Sequence, residues 1–289
     1  MRAVNTLILL YSSKSSAFAP TEFQSNFRGI STYLSMSDNN GGCEDGVCRP
    51  KGSASTSQGT YDAKFGNSST AKNILKVDII SDTMCPWCWV GKRNMEKALE
   101  DTPDIQPEIN WLPFFLDKNL PEEGKPVEEY YIGNYGDPKV GEKMKPHLVM
   151  AGKKAGIDFE KSYVKTTHLR PTIRSHRLIE YAKRQGKQDE MVEELFRIYF
   201  EEGKHLNSIE HLTESAKKVG LEGNVEEYLK SDQDEKEVFE EAAKMKSHAQ
   251  GVPTFLFSMP EKNLFFTFSG GQPPEAFKKV FQTFLAQCN

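Results

Sequence analysis

The chain has 289 residues, 37% of them apolar and 27% charged, an ordinary composition for a soluble fold with a core of its own. A formal net charge of -4 argues against an extended nucleic-acid or anionic-membrane surface. No apolar run approaches the ~18–20 residues that a membrane-spanning helix needs. Five cysteines are too few for a disulfide scaffold, so a pattern among them points to chemistry or metal.

Residues 1–75 differ from the rest. They are rich in Ser, Thr, Asn and Gly and carry seven Lys/Arg against five Asp/Glu, whereas residues 76–289 carry 30 against 36. At the start, Arg2 precedes a short apolar stretch at Leu7, Ile8, Leu9, Leu10 and Tyr11, followed by Ser16-Ala17-Phe18-Ala19-Pro20. A basic start, a greasy core and small residues make a signal-like leader over 1–20. The Ser-Ala-Phe-Ala-Pro string resembles the bipartite leaders of algae with secondary plastids. Residues 21–36, with Glu22 as the sole acid, then read as a transit-type segment, and a linker completes the stretch 21–73. The expected destination is a plastid; the secretory pathway or the cytoplasm is the alternative. Residues 35–73 show almost no apolar periodicity, so burial cannot offset an ordering cost of ~1–2 kcal/mol per residue. Cys43 and Cys48 in this linker read as a local disulfide, a regulatory pair or bystanders.

From residue 74 the pattern is globular. Residues 74–80 are β-branched and nearly continuous, which predicts a buried strand. Met95 and Leu99 are four apart, as on a helix. Residues 108–115, with Ile109, Trp111, Phe114 and Phe115, predict a second strand, in which Pro113 belongs near an end or on an edge. Residues from about 120 to 249 are helical in character. Leu178, Ile179 and Ala182, then Val192, Leu195, Phe196 and Tyr199, recur at three- and four-residue spacing. Val238, Ala242 and Met245 share a face, and Ser208 is placed to cap a helix. Gly156, Gly186, Gly203 and Gly220 mark helix ends. Two aromatic runs, 254–257 and 264–268, predict a hairpin. Pro273-Pro274 opens a last helix with Phe277, Val280, Phe281 and Phe284 on one side. The expectation is an α/β fold with a mixed central sheet, helices on both faces and a large all-helical insertion at about 120–249.

Cys85-Pro86-Trp87-Cys88 lies just after the first strand and opens the first helix. A cysteine there meets unpaired backbone N–H groups and the positive end of the helix dipole. Both favour thiolate, and in such motifs a thiol value of ~8.5 falls to ~3.5–7.5. Cys85 is then the exposed nucleophile and Cys88, one turn in, the resolving thiol. Pro86 suits the first turn, where its missing N–H has no intrahelical partner to lose. Trp87 shapes access and packs beside the sulfur. Such a pair takes or gives two electrons through a mixed disulfide. Half a zinc site, or an inert pair, is the alternative reading. Asp82 either assists a proton transfer or is a solvated strand-end carboxylate. The six histidines, His147, His168, His176, His205, His211 and His248, show no metal-ligand spacing, and no metal site is expected.

In Gly251-Val252-Pro253-Thr254-Phe255, a proline precedes an aromatic strand and cannot donate to a ladder. It suits a cis-proline loop facing the dithiol, where the Val252 backbone pairs with an extended substrate. Val252, Pro253 and Thr254 are the candidate substrate-binding residues.

The segment Asp82-Thr83-Met84-Cys85-Pro86-Trp87-Cys88-Trp89-Val90-Gly91-Lys92-Arg93 resembles the active-site segment of the DsbA-like thioredoxin-fold family, in its FrnE-like branch. Residues 251–255 are similar to that family's cis-proline segment. Ser269-Gly270-Gly271-Gln272-Pro273 resembles its Ser-Gly-Ala-Gln-Pro motif, with Gly271 in place of the alanine. Trp111-Leu112-Pro113-Phe114 and Ser175-His176-Arg177-Leu178 match weaker landmarks, although Pro171-Thr172 and Ser175 depart from the pattern before the histidine. The resemblance covers about 74–289. It implies a thioredoxin-like fold with a helical insertion, Cys85 and Cys88 as the redox pair, Asp82, Pro86 and Trp87 as support, and Pro253 as the cis residue. The expected activity is exchange with protein or small-molecule disulfides. No bound cofactor is needed; glutathione or a dithiol protein resets the pair. Two other classes compete. The related 2-hydroxychromene-2-carboxylate isomerases and kappa-class glutathione transferases use glutathione without dithiol cycling, but generally carry serine where Cys85 stands and lack the second cysteine. A peptide-binding or chaperone module would need neither sulfur.

Overall fold

The structure, a computed structural model, describes residues 73–288. The leader over 1–20, the transit-like segment, the linker up to residue 72, and Cys43 and Cys48 lie outside the described residues. Strand β1 (Asn73–Ser81) leads into helix α1 (Pro86–Glu100), and β2 (Ile105–Pro113) follows. The chain then enters β3 (Lys125–Pro126), α2 (Val127–Tyr135), α3 (Val140–Ala155), β4 (His168–Leu169), α4 (Ile173–Lys183), α5 (Gln188–Phe200), α6 (Ile209–Val219), α7 (Val225–Lys230) and α8 (Glu235–Met245). It returns through β5 (Thr254–Met259), β6 (Leu264–Ser269) and α9 (Pro274–Ala286). None of the described helices is long and apolar enough to cross a membrane.

The main sheet runs β2-β1-β5-β6. β1 pairs parallel with β2 and antiparallel with β5, and β5 pairs antiparallel with β6. The second strand begins and ends three and two residues earlier than the aromatic run suggests, and it is an edge strand. That position is why Pro107 and Pro113 are tolerated in it. The period of two along β1 decides which core each residue joins. Leu75, Val77 and Ile79 point into the large core shared with α1 and α9, whereas Ile80 points the other way, to Leu112, Phe114, Met245 and Ala249. Helices therefore cover both faces, with α9 against α1 and α8 against β2. In the hairpin the connection is a 3-10 turn at Pro260–Lys262, closed by Asn263 at φ 51, a left-handed conformation that Asn tolerates. Phe255 and Phe257 are fully buried among Phe268, Phe277 and Phe281, each ring contributing roughly 1.5–3 kcal/mol of burial.

The helices between β2 and β5 are joined to the active-site helix by polar as well as apolar contacts. Trp89 of α1 is buried, with its ring stacked on Phe196 and Phe200 of α5 and edge-on to Phe159. Its indole N–H donates to both carboxylate oxygens of Glu193 at 3.2 Å. One residue-turn away, Lys92 is 1% exposed and reaches Asp189 at 3.1 Å, Glu193 at 3.3 Å and Glu96. Burial pushes its ammonium down, but the three carboxylates outweigh burial and hold it above the ordinary lysine value. The Gln188 side chain accepts from the Trp111 N–H at 2.9 Å and donates to the Trp111 carbonyl at 3.0 Å. It thus takes the part of a strand neighbour on the free edge of β2. Ser208 caps α6 by accepting from the His211 N–H. The two-residue pairing of β3 with β4 is too short to leave a periodic trace in the sequence.

Candidate active site

β1 ends at Ser81, and the turn 82–84 delivers Cys85 to the N-cap of α1, with Pro86 in the first helical turn. The Cys85 N–H donates to the Asp82 carbonyl at 3.0 Å and the Cys88 N–H to the Cys85 carbonyl at 3.1 Å. The two sulfurs are thus one turn apart, and both are thiols rather than a disulfide. Cys88 is fully buried, and burial first, then donation toward Cys85, pushes its thiol well above the ordinary value. Ser81 and the Asp82 backbone oppose this by favouring the thiolate.

Cys85 is not the exposed group that its helix-start position suggests: it is 5% exposed. Its cover comes from residues far along the chain. Its thiol faces the Val252 carbonyl at 3.7 Å. The phenols of Tyr130 and Tyr135 on α2, and of Tyr163 in the 3-10 turn Tyr163–Lys165, lie within electrostatic reach of it. All three are pushed up, first by burial and then by negative neighbours, so they stay protonated donors.

Asp82 is not the solvated carboxylate either, being 0% exposed. Its oxygens accept from the Met84 N–H at 3.3 Å and the Leu116 N–H at 2.8 Å, which pins the segment after β2 to the active-site turn. Its Oδ1 also lies 3.5 Å from His176 Nε2. Beside it, Thr83 donates to Ser175 at 2.7 Å, because the Ser175 hydroxyl is already donating to the Thr172 carbonyl. The landmark Ser175-His176 thus lies under the turn that carries Cys85. The residues were quotable from the sequence, but nothing in their spacing told which loop they would meet.

Across from Cys85, the Val252–Pro253 peptide is cis. The Pro253 carbonyl accepts from the Gly270 N–H at 2.7 Å, which ties this loop to the 269–273 segment. Thr254 is 2% exposed. Its hydroxyl donates to the Gly251 carbonyl and accepts from Ser269, both at 2.7 Å. The side chain therefore shapes the loop and has no hydroxyl proton left for a substrate. Asn94 of α1 donates to the Gln272 carbonyl at 2.9 Å, closing the ring of segments around the dithiol. Half-buried Trp87 packs on Gly271. Among the described residues no group of three or more His, Cys, Asp and Glu is placed to hold a metal ion.

A sheet of this order, with paired cysteines at the start of the first helix and a proline loop beside them, defines a thioredoxin-like fold of the DsbA type. The chain matches the DSBA-like thioredoxin domain over residues 76–282 and belongs to that family. It is similar to the probable DsbA oxidoreductase SCO1869 of Streptomyces coelicolor, at 25% identity and a TM-score of 0.63, covering 73% of this chain and 90% of that one. The cytosolic disulfide reductase DsbM of Pseudomonas aeruginosa shares the fold at 17% identity and a TM-score of 0.54, over 73% of this chain and 98% of its own. A 2-hydroxychromene-2-carboxylate isomerase does so at 18% identity and a TM-score of 0.55, over 73% and 97%. The fold is thus shared by oxidoreductases and an isomerase.

Proposed function

We propose that the protein is a thiol–disulfide oxidoreductase that exchanges the Cys85/Cys88 pair with disulfides of proteins or small molecules. The observation that carries this reading is the placement of Cys85 at the N-cap of α1, one turn ahead of buried Cys88 and 3.7 Å from the Val252 carbonyl. In the reducing direction the Cys85 sulfur attacks one substrate sulfur, and the electron pair of the broken S–S bond leaves with the other. Cys88 then attacks Cys85, the two protein sulfurs join, and the second substrate sulfur departs as a thiol. Oxidation is the same path reversed. The electrons come from or go to an external thiol, glutathione or a dithiol protein, rather than a resident cofactor. The Val252 backbone beside Cys85 suits an extended peptide or a tripeptide-sized thiol.

The test is a redox titration of the full chain against glutathione buffers, read by mass spectrometry. A reversible 85–88 bridge that Cys85→Ser abolishes is the expected result; no bridge at any potential overturns the reading. A glutathione-dependent isomerisation that survives Cys88→Ser would put the isomerase reading in its place. Full function in Cys85→Ser would point to a peptide-binding module. The leader pattern supports delivery to a plastid, and a fluorescent protein fused behind residues 1–72 checks it by its location in the cell.

A further inference from the structure

One face of α3, together with the segment that follows it, lines an open groove of about 720 Å³. Pro146, Val149 and Met150 of the helix and Val164 of the later segment give it an apolar floor. Met150 is 53% exposed, more than any other large apolar side chain among the described residues. Its flexible thioether can adapt to an apolar surface laid on it. Lys145 stands toward one end of the floor and Lys154 toward the other. Lys143 and Lys153 are taken up by Asp137 and Glu160, but among the described residues Lys145 and Lys154 have no carboxylate partner. Charge sets this face apart from the rest of the domain. Residues 139–165 carry seven Lys against three Asp/Glu, which leaves the remainder of 76–289 with 23 basic against 33 acidic residues. An exposed apolar patch rimmed by charge of one sign marks a place of association, and a basic face on an acidic body steers acidic surfaces to itself.

We propose that the α3 groove docks an acidic amphipathic helix of a partner protein. Such a helix laid along α3 would set its apolar stripe on Pro146, Val149 and Met150, as helices do in apolar grooves. Lys145 and Lys154 are nine residues apart on α3, about 13.5 Å at a rise of 1.5 Å per residue. The partner would therefore carry carboxylates roughly two and a half turns apart, flanking its stripe. Lys153 is already held by Glu160, so it bounds the groove without recruiting a further charge. An anionic membrane is the poorer match, because its field would repel the acidic remainder of the domain. The site involves neither Cys85 nor Cys88, and it stands independently of the exchange reaction.

The probe is a fluorescein-labelled synthetic helix of about 14 residues, with Leu at three- and four-residue spacing and Glu at the flanking positions. It is made in forward and reversed order, because the groove does not fix a direction. Titrated with the full chain, one of the two should give saturable anisotropy that weakens about tenfold between roughly 0.05 and 0.5 M salt. Met150→Glu, and Lys145→Glu combined with Lys154→Glu, should each weaken binding about tenfold or more. These side chains lie at the surface, so the melting temperature should hold in both variants and a loss of binding is not a loss of fold. A peptide with Lys in place of Glu should not bind. Saturation by neither order overturns the proposal. So does a scrambled Leu/Glu peptide that binds as tightly, since the apolar floor would then play no part. Vesicles of phosphatidylglycerol that capture the wild type but not the double variant would assign the face to a lipid surface instead. A dimer in sedimentation that Met150→Glu dissolves would assign it to a second copy of the chain.

Discussion

A Cβ placed on Gly271 would stand 3.0 Å from the carbonyl oxygen of Trp87. It would also lie 3.1 Å from the Trp87 ring and 3.3 Å from Val90. The motif this segment resembles carries alanine there. In this chain the missing methyl lets the 269–273 loop lie directly on the first turn of α1, with the Trp87 ring filling the space. Gly271→Ala should therefore destabilise the protein by about 1–3 kcal/mol. Thermal unfolding would drop by about 2–4 °C per kcal/mol. An unaltered melting temperature would show that Trp87 yields freely.

Cys88 gives the reduced protein a pH dependence whose sign is fixed. Its folded value lies well above the ordinary thiol value of about 9. Below that value both folded and unfolded chains hold the proton, and the group adds no slope. As pH rises beyond it, the unfolded chain loses the proton first, so stability falls by up to ~1.4 kcal/mol per pH unit. Urea unfolding of the reduced wild type between pH 8 and 10 should show this fall, and Cys88→Ala should lack it. Parallel curves for the two proteins would refute the burial argument.

Lys92 is held by Glu96, Asp189 and Glu193. Among the described residues, Lys92→Met would leave those carboxylates with Arg93, which pairs with Glu193. Breaking a buried pair from one side costs ~3–5 kcal/mol. Burial already pushes the Glu96 carboxyl up, so mild acid should neutralise part of the stranded charge. The deficit of the variant relative to wild type should therefore shrink between pH 7 and pH 5. A constant deficit would point to lost packing of the lysine stem instead.

Thr254→Val keeps the shape of the side chain and removes its hydroxyl. The Gly251 carbonyl loses a donor and Ser269 an acceptor. The expected cost is about 0.5–1.5 kcal/mol for each bond. The rate of mixed-disulfide formation at Cys85 should fall as the Val252 loop loosens, while Thr254→Ser should behave as wild type. Equal rates in all three proteins would show that the cis-proline loop is held by its backbone alone.

The parts of this molecule that announce themselves in the sequence are those built on a local period or a local motif. β1, the hairpin and α9 follow from alternating or 3.6-spaced apolar residues, and the dithiol follows from its place between a strand and a helix. What stays hidden depends on which distant segment arrives. Lys92 carries no signal of its role in the sequence until α5 brings Asp189 and Glu193 to it. Cys85 reads as exposed until the distant Val252 loop arrives beside it and it is left 5% exposed. His176 reads as one of six scattered histidines until its ring stops beside Asp82. Each of these meetings spans dozens of residues, and no pattern within a single element encodes it.

On the dithiol reading proposed above, the enclosure of Cys85 makes the protein a steric filter. A rigid convex surface cannot bring a disulfide to a sulfur that is 5% exposed without displacing the groups that enclose it. A slender flexible segment or a small thiol can slip in beside Val252. Fewer collisions succeed at a sulfur so enclosed. Selectivity for slender partners would then be gained at the expense of promiscuity.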